Sequence, residues 1–309
     1  MEITTSSHKG PGAEPADGAA RGIFAAAAFF SAAVTLAVFL FMAVLGLPVI
    51  REGQLLQLLT GPWSPGQGSY GIRPMILGTL WIASLALMFA VPVSLGCAVF
   101  ITVTAPRGLA RILHTLVQFM TGIPTVIYGF VGIFLLVPLV REFSGQGAGL
   151  AVLTASLMLS ILVAPTMILF FADGLARVPR SHCLAVAALG GTPVQRLVYV
   201  MLPQAWPGIL AGLVLGFGRA VGDTMIALML AGNAVAPPDS ALDAARTLTA
   251  HIALIIAADF DSLEFRTLFI CGLVLYATTT LAVFAMRSLA AMRSLAAMRS
   301  LAAKRAATS

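Results

Sequence analysis

Arg219 and Asp223 stand four residues apart inside a run, residues 206–230, that is otherwise uncharged. On a helix this spacing puts both side chains on one face, one turn apart. An arginine there offers a planar, permanently charged fork suited to the oxygens of phosphate-like anions. A carboxylate one turn on can orient that fork and limit how tightly an anion is held. Each charge disfavours insertion at mid-bilayer by roughly 2.5–3.5 kcal/mol, so the two are expected to neutralise each other inside a bundle. Gly212 and Gly216 share their stripe and would let a neighbouring helix approach closely. The competing reading is that the pair only locks this helix to its neighbour. A charge kept at such a cost marks a functional site by default, which makes Arg219 and Asp223 the candidate site residues.

Other chemistries are poorly served. Cys97, Cys183 and Cys271 and the histidines His8, His114, His182 and His251 are scattered, with no metal-binding or nucleophilic spacing. No catalytic residue, metal site or cofactor is expected. Lysine occurs only at Lys9 and Lys304, neither after a phosphate-cradling glycine pattern. ATP hydrolysis by that route is excluded, so any active process must draw on an ion gradient or a separate subunit.

The elements that position the pair follow from composition. Of 309 residues, 59% are apolar and 10% charged, against about 25% charged in soluble domains. Residues 23–47, 75–103, 115–140, 149–172, 206–230 and 267–286 form six long apolar runs, and only the fifth is interrupted by charge. Only helices with internally closed hydrogen bonds carry such runs through hydrocarbon, so the expected fold is an all-α membrane protein of about six transmembrane helices. A seventh run, residues 247–258, is too short to span and is expected as an interfacial or external helix. The first run is longer than a signal core and is expected to be retained. Pro124 and Gly129 in the third run and Pro165 in the fourth read as kink sites. Thr125 and Tyr128 beside the first are better assigned to helix packing than to a path.

Basic residues sort the loops. Lys9, Arg21, Arg107, Arg111, Arg177, Arg180, Arg196, Arg287, Arg293, Arg299, Lys304 and Arg305 fall on one side, and only Arg51, Arg73, Arg141, Arg246 and Arg266 on the other. Positive residues stay cytoplasmic, so both termini are expected there. Asp239, Asp243, Asp259, Asp261 and Glu264 gather in the last external loop. The net charge of +6 then reports topology and contact with anionic lipid, and nucleic-acid binding is not supported. The tail repeats MRSLAA at 286, 292 and 298, a period that scatters its arginines around a helix.

Between the fourth and fifth runs lies a long segment, residues 173–205, containing SHCLAVAALGGTPVQRLVYVMLPQAWPGI. Gly190 and Gly191 are expected to end one short helix, Thr192 to cap the next and Pro193 to occupy its first position. Pro203 and Pro207 then bend the start of the fifth span. The segment resembles the EAA-type signature loop of ABC-importer permeases, matched by Gly190 and by Leu202 and Pro203; the motif's glutamate position falls on Leu184, followed by Ala185. The resemblance implies that Leu184, Ala185, Gly190, Gly191, Leu202 and Pro203 form a loop docking on an ATPase.

GRAVGDTMIALMLAGN, from Gly218 to Asn233, and IPTVIYGFVGIF, from Ile123 to Phe134, resemble segments of the PstC-type permeases of bacterial phosphate importers, over residues 75–286. That resemblance implies a type I ABC importer (MetI-like) permease fold and a bacterial inner-membrane location. It also implies a division into a cytoplasmic tail 1–22, a first span with external loop 23–74, a permease domain 75–286 and a basic tail 287–309. Implied partners are a PstA-like second permease, PstB-like ATPase subunits, a PstS-like extracytoplasmic phosphate-binding protein, phosphate and the lipid bilayer. Such a chain is a transport subunit and no enzyme. A permease for another oxyanion and a gradient-driven secondary transporter are the alternatives; the latter usually needs more spans and an internal repeat.

Overall fold

The computed structural model describes residues 14–51, 55–145, 147–256 and 262–306, with side chains described from residue 20 to 46 and, within those segments, from 55 to 288. His8, Lys9, Asp259 and Asp261 lie outside the described residues, as do the side chains of Arg293, Arg299, Lys304 and Arg305.

In chain order the elements are α1 (Glu14–Arg51), α2 (Leu55–Thr60), a two-stranded hairpin of β1 (Trp63–Ser64) and β2 (Ser69–Tyr70), α3 (Arg73–Val99), α4 (Arg107–Thr121), α5 (Thr125–Ser144), α6 (Val152–Ala176), α7 (Arg180–Ala188), α8 (Pro193–Arg196), α9 (Leu202–Gly222), α10 (Met225–Leu230), α11 (Leu248–Ile255) and α12 (Leu263–Ala306). The π turns Phe100–Thr104 and Leu197–Met201 extend α3 and join α8 to α9. Among the described residues six helices are long and apolar enough to cross a membrane, in agreement with the six runs.

Two spans differ from expectation. The third is not one helix over 115–140. The amphipathic α4 ends at Thr121, and α5 starts afresh at Thr125 after Gly122, Ile123 and Pro124. Proline has no N–H and disfavours helical geometry in the residue before it, so Pro124 breaks the helix where a kink was expected. Gly129 lies within α5, and a Cβ placed on it would meet the Met229 sulfur of α10 at 2.5 Å. The fifth span is likewise divided, into α9 and α10.

α6 is the centre of the bundle, with α3 and α9 against it. The α3 face is built of Ala83, Ala86 and Ala90, all buried. Ser94 Oγ donates to the Ala164 carbonyl at 3.3 Å and Ser156 Oγ to that of Ile82 at 3.2 Å. Small residues and short polar bonds are what association needs where lipid is as apolar as the helices. Against α9 the approach is backbone to backbone, since a Cβ on Gly208 would lie 2.7 Å from the Cα of Gly174. Gly212 and Gly216 extend the contact onto Phe171 and Met167, so the neighbour expected along that stripe is α6.

A second cluster caps one end of the bundle, where α2, the hairpin, α11 and the start of α12 bury Leu58, Trp63, Leu248 and Ile270. α11 is the short helix expected at 247–258. His251 is fully buried there, its ring 4.3 Å from that of Trp63, and Arg246 Nη1 lies 3.5 Å from its Nδ1. Burial, with the Arg246 charge beside it, pushes the His251 pKa down to about 4.

Two outcomes follow. Gly208→Val must separate α6 from α9 and cost about 1–3 kcal/mol by overpacking. Thermal unfolding of the detergent-solubilised protein checks this, and an unchanged midpoint would mean the two helices do not touch. His251 is neutral when folded but takes a proton near pH 6.5 when unfolded, so acidification favours the unfolded chain. Stability should therefore fall between pH 6.5 and about 4, and His251→Gln should flatten that part of the profile.

Candidate functional site

The interruption of the fifth span is built locally. α9 ends at Gly222, and Asp223 turns extended at φ −73°, ψ 128°. Aspartate and threonine compete with helical backbone by bonding it with their own side chains, so Asp223 and Thr224 after a glycine are a natural break. The freed groups find partners. Asp223 Oδ2 accepts the Ile226 N–H at 2.8 Å, and Thr249 Oγ1 of α11 donates to the Asp223 carbonyl at 2.9 Å. At the far end of α10, Asn233 Nδ2 donates to the Leu228 carbonyl at 2.6 Å, with the Asn233 backbone left-handed at φ 56°.

The expected direct pairing of Arg219 with Asp223 is not formed: no ion pair joins them, although both line the same pocket. Spacing of four residues gives one face only while the helix continues, and the break swings Asp223 onto the backbone of α10. Arg219 instead donates from Nη1 to Thr166 Oγ1 of α6 at 3.0 Å. It stands in the last turn of α9, where the helix dipole favours a cation. The two charges are thus satisfied separately, and neither side chain is spent on the other.

Both nevertheless line one open pocket of about 470 Å³, with Thr125, Gly222, Thr224 and Met225. Thr125 is the first residue of α5, so the two broken spans meet at this pocket. Tyr128 is buried and donates to the Met120 carbonyl at 3.2 Å, tying the two sides of the Pro124 break together. The arrangement combines one cationic fork, a hydroxyl and the electropositive end of a 20-residue helix, with a carboxylate alongside. It can hold an oxyanion without burying it completely. Thr125, expected to serve helix packing, lines the pocket, and Thr166, next to Pro165 in an apolar span, carries no sequence signal of its contact with Arg219.

The residues of the loop 173–205 stand elsewhere. Leu184 and Ala185 lie on α7, while Leu202 and Pro203 open α9, some 25 Å of helix away from Arg219 at 1.5 Å per residue. Gly190 ends the first helix with φ 75°. Gly191 packs under Val186. Thr192 and Gln195 form a reciprocal capping box, with Pro193 at the first helical position. Leu184, Leu189, Val194 and Tyr199 are all more than two-thirds exposed, so this end of the bundle presents an apolar surface on a rigid helix–turn–helix.

A family model described as the inner membrane component of binding-protein-dependent transport systems matches residues 90–295. A probable ABC transporter permease protein, YqgH of Bacillus subtilis (strain 168), is 33% identical over 87% of this chain and 89% of its own length. The phosphate transport system permease protein PstC of Pasteurella multocida (strain Pm70) is 34% identical over 74% of this chain and 77% of its own. Among solved structures, a bacterial alginate ABC transporter superposes with a TM-score of 0.60 at 14% identity, over 86% of this chain and 93% of that one. A methionine ABC transporter in an inward-facing conformation gives 0.56 at 20%, over 71% and 93%. These two show the fold, which is that of an ABC-importer permease.

The role of Asp223 at the break is measurable. Asp223→Ala leaves the Ile226 N–H without its acceptor and should cost about 1 kcal/mol, whereas Asp223→Asn keeps an acceptor and should cost far less. Thermal unfolding of both variants in detergent distinguishes them; equal losses would show that the charge, not the cap, holds the break.

Proposed function

The chain belongs to the inner membrane components of binding-protein-dependent transport systems, multi-pass transport subunits and not enzymes, and from that premise we propose that it is a PstC-type permease subunit of an ATP-driven importer of inorganic phosphate. The observation that carries the reading is the Arg219 fork, held by Thr166 without a direct ion pair and facing a pocket where two spans are broken. Broken helices with charged or electropositive ends at the pocket are how membrane transporters expose polar groups to an anion inside hydrocarbon. The relatives named for phosphate transport supply the ligand.

In this reading both termini and the loop 173–205 face the cytoplasm. A PstS-like binding protein delivers phosphate at the opposite face, a PstA-like permease completes the path, and PstB-like subunits hydrolyse ATP. The apolar surface of α7 and α8 seats on an ATPase subunit, and the exposed Leu184, where the signature motif has glutamate, makes that contact through packing. Closure of the ATPases tilts the helices, and the pocket changes the side to which it opens. Arg219 binds the anion as a fork, Thr166 holds the fork in place, and Asp223 weakens the grip enough for release.

Arg219→Gln should abolish uptake of labelled phosphate by cells while the subunit still co-purifies with its partners. Normal uptake by that variant would remove Arg219 from the path. Full competition by sulfate in the wild type would make the importer one for another oxyanion.

A further inference from the structure

The amphipathic α4 carries a polar row that the proposed binding pocket leaves unused. Arg107, Arg111, His114 and Gln118 recur at i, i+4, i+7 and i+11 and so share one face. No acidic residue occurs in α4, and among the described residues these four side chains make no hydrogen bond or ion pair. The opposite face, with Leu109, Ile112, Leu116 and Phe119, is exposed and apolar. Val117, about a quarter turn from the polar row, is seated with Ala164 and Ile168 of α6. The next residues beyond Gln118 lead through the Pro124 break to Thr125, at the pocket that holds Arg219. On α6, Asp173 lies two turns from Thr166 and is already paired with Arg177 at 2.6 Å, so it offers no free carboxylate to the row.

The row is longer than an interfacial layer is thick. The interfacial layer on each side of the hydrocarbon is only about 5–8 Å thick. Gln118 lies about 16 Å along the helix from Arg107. Long side chains near the helix start snorkel to the surface, whereas His114 and Gln118 stand two and three turns closer to the Pro124 break that leads to the Arg219 pocket.

We infer that the Arg107–Arg111–His114–Gln118 face of α4 is the release ramp along which the oxyanion leaves the Arg219 pocket toward the ATPase side. This rests on the phosphate-import reading. The row attracts the anion with arginines at its far end and solvates it with the His114 and Gln118 side chains nearer the pocket, so release is stepwise and no single site holds it tightly.

The test uses the assembled importer. Arg107→Gln with Arg111→Gln should slow uptake of labelled inorganic phosphate about fivefold or more at equal amounts of co-purified complex, and the corresponding double lysine variant should restore most of it, because a ramp needs charge and not a fork. Gln118→Glu sets a carboxylate on the row without touching either arginine and should also slow uptake; it decides the matter if the double variant fails to assemble. Near-normal uptake in the glutamine double variant, or in an assembled Gln118→Glu variant, overturns the inference. Reconstitution of the purified complex in phosphatidylcholine, with and without phosphatidylglycerol, separates the two sources of phosphoryl oxygens. A loss seen in both lipids supports the ramp, while a loss confined to vesicles with anionic lipid makes the row a headgroup site and overturns it. Should the wild type carry labelled sulfate and not phosphate, the phosphate reading alone falls, and the same variants are then read on sulfate.

Discussion

A peptide group without a partner is several kcal/mol out of place in hydrocarbon, and this chain interrupts two of its spans. Everything around the pocket answers that constraint. At one break the Asp223 carboxylate takes up a freed N–H and Thr249 takes up a freed carbonyl; at the other, the Tyr128 hydroxyl reaches back across Pro124. α11 is too short to span, yet its first turn is buried, and its Thr249 is one of these partners. The cap of α2 and the hairpin, packed over α11, in turn holds that helix in place.

The same breaks settle the electrostatics. A continuous fifth helix would set Arg219 and Asp223 against each other as a closed pair. Ending the helix between them gives each its own local compensation, a helix C-terminus and a threonine hydroxyl for one, backbone N–H for the other. The cation is then held in position with its remaining donors uncommitted. Such a group recognises an anion without first breaking a salt bridge, and bidentate geometry favours tetrahedral oxyanions over simple halides.

What was legible in the sequence was what lipid enforces and what local chemistry dictates. Six spans follow from runs too apolar for water, and the α7–Gly190–Thr192–α8 turn follows from capping signals within a few residues of one another. The break at Asp223 escaped because the four-residue spacing to Arg219 looks like a pair whenever helix is assumed. Pro124 was visible, but a proline alone does not say whether a helix bends or stops. Thr166 was invisible because its partner is 53 residues away. That contact exists only once α6 and α9 are packed, and it is glycine, silent in any charge count, that lets them pack.

The contact of Gly174 with Gly208 has a mechanical side. Helices that meet through side chains can slide by exchanging rotamers, whereas two backbones in contact have nothing to exchange. At that point α6 and α9 are locked against each other, and the Thr166–Arg219 hydrogen bond spans the same pair of helices. Any change in the shape of the bundle has to be taken up elsewhere, and the uncoiled joints before Thr125 and after Gly222 are where the framework can articulate.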